Sequence, residues 1–462
     1  MLKRLAILMA FLCGSTAAWA DAKEDCEKKS GDVAIAACTE YIRTNPGEAP
    51  AYINRSLAYA NKGDNDRAIA DATKAIELDP KQAAAYINRS LAYANKGDND
   101  RAIADATKAI ELNPKRSHGY VNRGRAYLNK GDDDRAVADA TKAIELDPKQ
   151  AVAYVNRGAA LLNRRDYDRA IANFSKAIEI NPNYSVAYFN RGLAYTAKGD
   201  RNTGTADYAK DIDLRDKGMT DFARAIELNP KNTTYVNRRG DIYAGRADDV
   251  RALADYNRAI FINPQEAAGY ANRASVVRRA KELDKALADY NKAVELDPKN
   301  AAYFNDRGVT YGYKGDKNRA MADYGKAIDI DPKSHDAYFN RGKAYLEMKE
   351  YGRAIADYTK AIEINPNWMN YNSRAWTYFK AGEAAKGLPD ANKSLELYPD
   401  DANALDTRGS IFEALGRREE AIADFRRALV NAPYMESSKE GSEAAWSDAV
   451  SWPKRLHRNS TE

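Results

Sequence analysis

Twelve prolines mark the chain at nearly even intervals: Pro46, Pro80, Pro114, Pro148, Pro182, Pro230, Pro264, Pro298, Pro332, Pro366, Pro399 and Pro433. The spacing is 34 residues four times, 48 once, 34 four more times, then 33 and 34. A period of this length means one small unit copied many times. A unit that small cannot bury its own apolar face, so neighbours must stack into a continuous core. The long interval is one period plus 14 residues, which places an insertion between Pro182 and Pro230. Residues 51–80 and 85–114 are the same string except for Asp79 and Asn113.

One copy shows the design. Tyr154, Gly158 and Leu161 recur at spacings of four and three, one face of a helix. Ala170, Phe174, Ala177 and Ile178 repeat that spacing in a second helix. Gly63-Asp64, Gly97-Asp98 and Gly131-Asp132 mark the turn between the two, with Gly ending the first helix and Asp capping the second. An Asn-Pro or Asp-Pro pair stops the second helix, because the residue before proline avoids α geometry. Small residues such as Gly158, Ala170 and Ala177 let the helices approach closely.

This pattern resembles the tetratricopeptide repeat family over roughly residues 22–433. The resemblance implies an all-α fold, an α-solenoid. It would be a right-handed superhelix of stacked antiparallel helix pairs, about 11–12 units in all. The first helix of each pair would line a concave groove that commonly holds a peptide.

The departures from the family pattern carry information. An arginine stands nine residues after its proline at Arg55, Arg89, Arg123, Arg157, Arg191, Arg273, Arg307, Arg341 and Arg408. Sixteen residues further sits an acid: Asp71, Asp105, Asp139, Asp207, Asp289, Asp323, Asp357 and Asp424, with Asp255 in the shifted unit and Asn173 the exception. Copied together, they suggest an ion pair within each repeat; two solvated charges are the alternative. Stranding the arginine is expected to be the worse injury, so Arg123→Leu should cost less than Asp139→Ala.

Residues 1–20 read as a secretory signal peptide, with Lys3 and Arg4 before a short apolar run and Ala18-Trp19-Ala20 as the cleavage site; an uncleaved anchor is the alternative. In an exported chain Cys26 and Cys38, flanking a turn, are expected to form a disulfide rather than remain free thiols. Residues 21–48 then form a degenerate, stapled N-terminal cap repeat. Two repeat blocks, 49–199 and 219–433, follow on either side of the insertion at 200–218, and 434–462 form a C-terminal cap and tail. Ala206-Asp207-Tyr208 echoes in Thr220-Asp221-Phe222, so the insertion is either an extended helix or a surface loop, with Gly204 and Gly218 weakening the helix.

Asparagine precedes the arginine at Asn54, Asn88, Asn122, Asn156, Asn190, Asn272 and Asn340. Asn61, Asn95, Asn129 and Asn163 follow seven residues on, along the same helical face. An amide donates and accepts at once, so such a row can pair with an extended peptide backbone without reading its sequence. Arrays resembling this one use such rows; alternatively, asparagine is simply common there. Ile53, Ile87, Val121, Val155, Phe189 and Phe339 stand beside the row as expected apolar contacts.

Composition narrows the function classes. Acids and bases nearly balance, 67 against 72, where a dedicated nucleic-acid binder would show clustered excess base. Three histidines and three cysteines leave little material for metal or thiol chemistry. None of the zincin, dinucleotide, P-loop or nucleophile-elbow motifs occurs. Only 29 residues follow Pro433, too few for a catalytic domain. The expectation is an exported, non-enzymatic scaffold in the periplasm or outer envelope of a Gram-negative bacterium. It would bind other proteins or peptide segments, with no cofactor, no metal, no nucleic acid, and a membrane only through partners. A docking component of an envelope secretion or polysaccharide-export assembly, and a self-associating spacer, are the other readings.

Overall fold

A computed structural model describes residues 22–201 and 208–431. The signal segment 1–20, Asp207 in the insertion and the tail 434–462 lie outside the described residues. Among the described residues every regular element is an α-helix. Helix α1 (22–28) and α2 (Gly31–Thr44) form the N-terminal pair, joined by the Cys26–Cys38 disulfide.

The repeats follow as pairs of a first helix A and a second helix B. They are α3 (Ala49–Lys62) with α4 (Asn65–Leu78), α5 (Ala83–Asn95) with α6 (Asn99–Leu112), and α7 (Ser117–Asn129) with α8 (Asp133–Leu146). Next come α9 (Ala151–Asn163) with α10 (Tyr167–Ile180), α11 (Ser185–Arg201) with α12 (Tyr208–Leu228), and α13 (Thr233–Gly245) with α14 (Asp249–Ile262). The rest are α15 (Ala267–Arg279), α16 (Leu283–Leu296), α17 (Ala301–Tyr313), α18 (Lys317–Ile330), α19 (His335–Glu347), α20 (Tyr351–Ile364), α21 (Trp368–Lys380), α22 (Ala384–Leu397), α23 (Ala402–Ala414) and α24 (Arg418–Asn431). The chain divides into two compact units, Met1–Tyr235 and Val236–Glu462. Within each unit successive A helices pack on one another and on the flanking B helices, so the A helices form the closely spaced inner layer.

The turns follow from local chemistry. Gly63, Gly97 and Gly131 close helix A in the left-handed region, at φ 87°, 81° and 76°. Asp64, Asp98 and Asp132 then accept from the backbone N–H of Arg67, Arg101 and Arg135 at 3.1–3.2 Å. At the same turn position, Arg165, Ala247, Lys281 and Lys349 adopt φ of 57–62° without being glycine. Packing within a pair is a matched set. In most pairs where helix B carries an aromatic ring, helix A carries glycine: a Cβ on Gly158 would meet Phe174 at 2.7 Å, and one on Gly308 would meet Tyr324 at 2.7 Å, while α15 keeps Ala274 against Tyr290. Where helix B carries Ala72 or Ala106, helix A carries Ser56 or Ser90, whose hydroxyls donate to the carbonyls of Ala68 and Ala102 at 2.8 Å.

Among the described residues the insertion is helical. Helix α11 has 17 residues and α12 has 21, against 13 and 14 in the preceding pair α9 and α10. The insertion therefore lengthens both helices, and it belongs to the first unit. Gly218, read from sequence as a breaker, sits inside α12. A Cβ there would meet Thr196 at 2.7 Å and the Gly192 carbonyl at 3.0 Å. Its role is close approach of α11, which outweighs its poor helix propensity.

Candidate functional site

Each A helix presents one stripe away from its B helix. On α7 this stripe is His118, Asn122, Arg125 and Asn129, at spacings of four, three and four. The opposite side carries Arg123, which reaches Asp139 on α8 and Thr107 on α6. The stripe is thus the open face of the inner layer. In the first unit it continues as Pro50, Asn54, Leu57 and Asn61 on α3, and as Ala84, Asn88, Leu91 and Asn95 on α5. On α9 it is Val152, Asn156, Ala159 and Asn163, and on α11 Val186, Asn190, Leu193 and Ala197.

The first asparagine row is anchored between repeats. Asn88 Nδ2 donates to the Ile53 carbonyl at 2.9 Å, Asn122 to Ile87 at 2.9 Å and Asn156 to Val121 at 3.1 Å. Asn88 and Asn156 are each only 6% exposed. Anchoring consumes one amide N–H and leaves the second N–H and the oxygen, which has no partner among the described residues. Asn54 and Asn190 make no such bond among the described residues. In the second unit Asn272 donates to Asp241 Oδ1 at 2.9 Å and Asn340 to Asn305 Oδ1 at 3.0 Å. The second row lies exposed at the helix ends. Asn95, Asn129 and Asn163 donate to Asn65, Asn99 and Asp133 of the preceding B helix at 3.0–3.1 Å, and Asn61 is exposed.

The expected apolar contacts turn inward. Ile87, Val121 and Val155 are 5–7% exposed, because they point at the neighbouring A helix. Phe189 stacks on Tyr235 with centroids 4.6 Å apart, and Phe339 packs edge-on against Tyr358 at 5.6 Å. The apolar surface on the open stripe is Leu57, Leu91, Val152 and Leu193, three or four residues from each asparagine. Helical arithmetic applied outward from the asparagines would have found them.

The arginine ladder is an ion-pair network. Arg55, Arg89, Arg123 and Arg191 in the first unit make bidentate bonds of 2.7–2.9 Å to Asp71, Asp105, Asp139 and Asp221. Arg239, Arg273, Arg307, Arg341, Arg374 and Arg408 do so in the second, to Asp255, Asp289, Asp323, Asp357, Asp390 and Asp424. Arg191 pairs with the second copy of the echo, Asp221, in place of the expected Asp207, which lies outside the described residues. Arg239 and the Arg374–Asp390 pair escaped the sequence reading, the latter because the 33-residue interval shifts it by one.

Most of these arginines also reach a third helix. Nη1 of Arg89, Arg123 and Arg191 donates to Thr73, Thr107 and Ser175 of the preceding B helix at 3.1–3.3 Å. Each guanidinium therefore ties helix A to its own B helix and to the one before. The acid is the deeper member: the Asp139 side chain is 9% exposed and that of Arg123 21%. The expected order of damage therefore reverses, since losing Arg123 strands a buried carboxylate while losing Asp139 leaves a half-open guanidinium with Thr107. Asp139 holds the Arg123 guanidinium above its ordinary range. Arg157, facing neutral Asn173 at 2.8 Å, is instead pulled below it by burial.

Tetratricopeptide repeat models match residues 29–83, 53–117, 87–151, 151–184, 173–207, 275–315, 311–349, 335–367 and 372–436. The chain belongs to the tetratricopeptide repeat family. No curated protein matches it. Among solved structures it is similar to yeast Tom70, with 16% identity over 87% of this chain and 98% of that one and a TM-score of 0.46. It is also similar to a human IFIT1 dimer with PPP-AAAA, at 16% identity over 83% of this chain and 91% of that one, TM-score 0.45. A third is YrrB, described as a TPR protein with an unusual peptide-binding site, at 23% identity over 44% of this chain and 97% of that one, TM-score 0.31. These likenesses concern the fold alone.

Proposed function

We propose that this chain is a non-enzymatic scaffold whose inner face binds extended segments of partner proteins. The observation that carries the reading is the anchored amide row. Asn88, Asn122 and Asn156 are each oriented by a bond to the preceding A helix and each keeps an oxygen and an N–H to offer. An amide fixed before binding loses little entropy on meeting a peptide group. Leu57, Leu91, Val152 and Leu193 beside the row supply sequence-tolerant apolar contact. Export to the periplasm or outer envelope of a Gram-negative bacterium is part of the proposal. It rests on the signal-like residues 1–20 and on the Cys26–Cys38 disulfide, a bond that persists in oxidising compartments.

The test is selection of random 12-residue peptides, which extend over about 40 Å, the span of roughly four A helices about 10 Å apart. Selected peptides should lose at least about tenfold in affinity, some 1.4 kcal/mol, for the variant with Asn88, Asn122, Asn156 and Asn190 all changed to Ala. Helicity should be unchanged. Equal binding by both forms would remove the site from this face.

One observation favours docking by the outer layer as a second reading. Val250 and Phe261 on α14 are 81% and 87% exposed. They lie eleven residues apart, about 20° from a whole number of turns, so they share a face. Other B helices carry charges at these positions, such as Asp66 and Glu77 or Asp100 and Glu111.

A further inference from the structure

The five open stripes of the first unit contain two ionisable side chains, and both are on α7. Where α5 carries Ala84 and Leu91, and α9 carries Val152 and Ala159, α7 carries His118 and Arg125, with Asn122 between them. His118 and Arg125 are seven residues apart, two turns or about 10 Å along one face. His118 is exposed and Arg125 is half-buried.

Arg125 differs from the ladder arginines. Those are paired with a carboxylate, or in repeat four with Asn173. Arg125 has no hydrogen-bond or ion-pair partner among the described residues. A half-buried guanidinium with apolar neighbours and no acid is costly unless something else supplies the counter-charge. Burial pushes the Tyr184 phenol up and Arg125 pulls it partly back, so the cation lies within electrostatic reach of the segment leading into α11.

We infer that Arg125, assisted by His118, selects a side-chain carboxylate in the bound segment, held between apolar residues that face α5 and α9. This rests on the peptide-binding reading above. A side-chain acid rather than a chain terminus is favoured because the stripe continues on both sides of α7. Two A helices precede it and two follow it in the same unit, each with its asparagine. The bound chain therefore runs through this point rather than ending at it. A planar fork of donors also suits a carboxylate better than a single polar group.

The experiment uses the peptides selected on the wild-type chain. They should share one Asp or Glu flanked by apolar residues. Changing that acid to Ala should weaken binding at least about tenfold, some 1.4 kcal/mol. Arg125→Leu, which installs the residue α5 already has, should weaken the acidic peptide equally and leave the Ala peptide unchanged, so the two losses should not add. Amidating the peptide C-terminus should have no effect. Loss on amidation would move the carboxylate to the chain end and overturn the assignment. Peptides that need the asparagines but ignore Arg125→Leu would overturn this inference and leave the groove reading standing. Selection of no peptide at all would remove both.

Discussion

Arg191 closes its bidentate bond on Asp221, thirty residues along the chain, where every other ladder arginine finds its partner sixteen residues on. The difference is the 14-residue insertion, and the geometry of the pair is unchanged by it. The core of this repeat is thus an ordinary one with a helical extension added at its turn end.

Removing residues 206–219 should therefore give a normal repeat. The deletion brings Asp221 to sixteen residues after Arg191 and restores Gly199-Asp200 as the turn. Gly204 would then stand where α6 has the fully buried Ala102. A loss of about 1–2 kcal/mol is expected, with a single cooperative transition. A molten or split transition in calorimetry would show that the extension is needed for the fold.

The depth of Asp139 sets the order of damage at the ladder. Arg123→Leu is expected to cost about 3 kcal/mol, the lower end for breaking a buried pair. Asp139→Asn should cost only about 1–2 kcal/mol, since Arg157 already lives with Asn173. Asn173→Asp should stabilise the protein by supplying the missing acid. Denaturant melts of the three variants at pH 7 check the order and its sign.

Among the described residues, the turn residues Arg165, Ala247, Lys281 and Lys349 sit in the left-handed region without being glycine. Lys281→Gly and Arg165→Gly should each gain about 1 kcal/mol by relieving the Cβ clash, because φ at these residues is 61°. Gly97→Ala, at φ 81°, should lose a similar amount. Urea midpoints on single variants decide it, and a destabilised Lys281→Gly would contradict the account.

Two sets of acids oppose each other in the pH dependence. Burial holds the Asp306 carboxyl above its ordinary range. Its charged form is a penalty that exists above the folded pKa and disappears as pH falls through it. Asp306→Asn should raise Tm slightly at pH 7, and the advantage should shrink toward pH 4. The capping residues Asp98 and Asp132 are held below their ordinary range by the Arg101 and Arg135 side chains and then by their backbone N–H groups. Their contribution is complete above the unfolded carboxylate range, near pH 4, and is lost as pH falls below it. Thermal melts of the wild type and Asp306→Asn across this range separate the two.

Much of this was legible in the sequence because the period repeats the same physical problem. The prolines, the Gly-Asp turns and the Arg–Asp spacing each returned often enough to be read from any one copy. The Cys26–Cys38 bond followed from two cysteines flanking a turn. The insertion stayed open between helix and loop because Gly204 and Gly218 argue against helix, while in the fold Gly199 and Gly218 are glycines of close approach: a Cβ on Gly199 would lie 3.0 Å from the Asp211 carbonyl. The site was only half legible. Spacing located the asparagines on one face, but their bonds join residues 35 apart in sequence. That pairing depends on how successive A helices pack, which no single helix encodes. For the same reason Ile87 and Val121 looked like ligand contacts and proved to be core.

The most direct test of the central claim is photocrosslinking of a selected peptide carrying a benzophenone, with the attached residues mapped by mass spectrometry. The account predicts adducts on the open stripes of the first unit, at Leu91, Val152 and Leu193. Adducts on Val250 and Phe261 of α14, or on other B helices, would contradict it and place recognition on the outer layer.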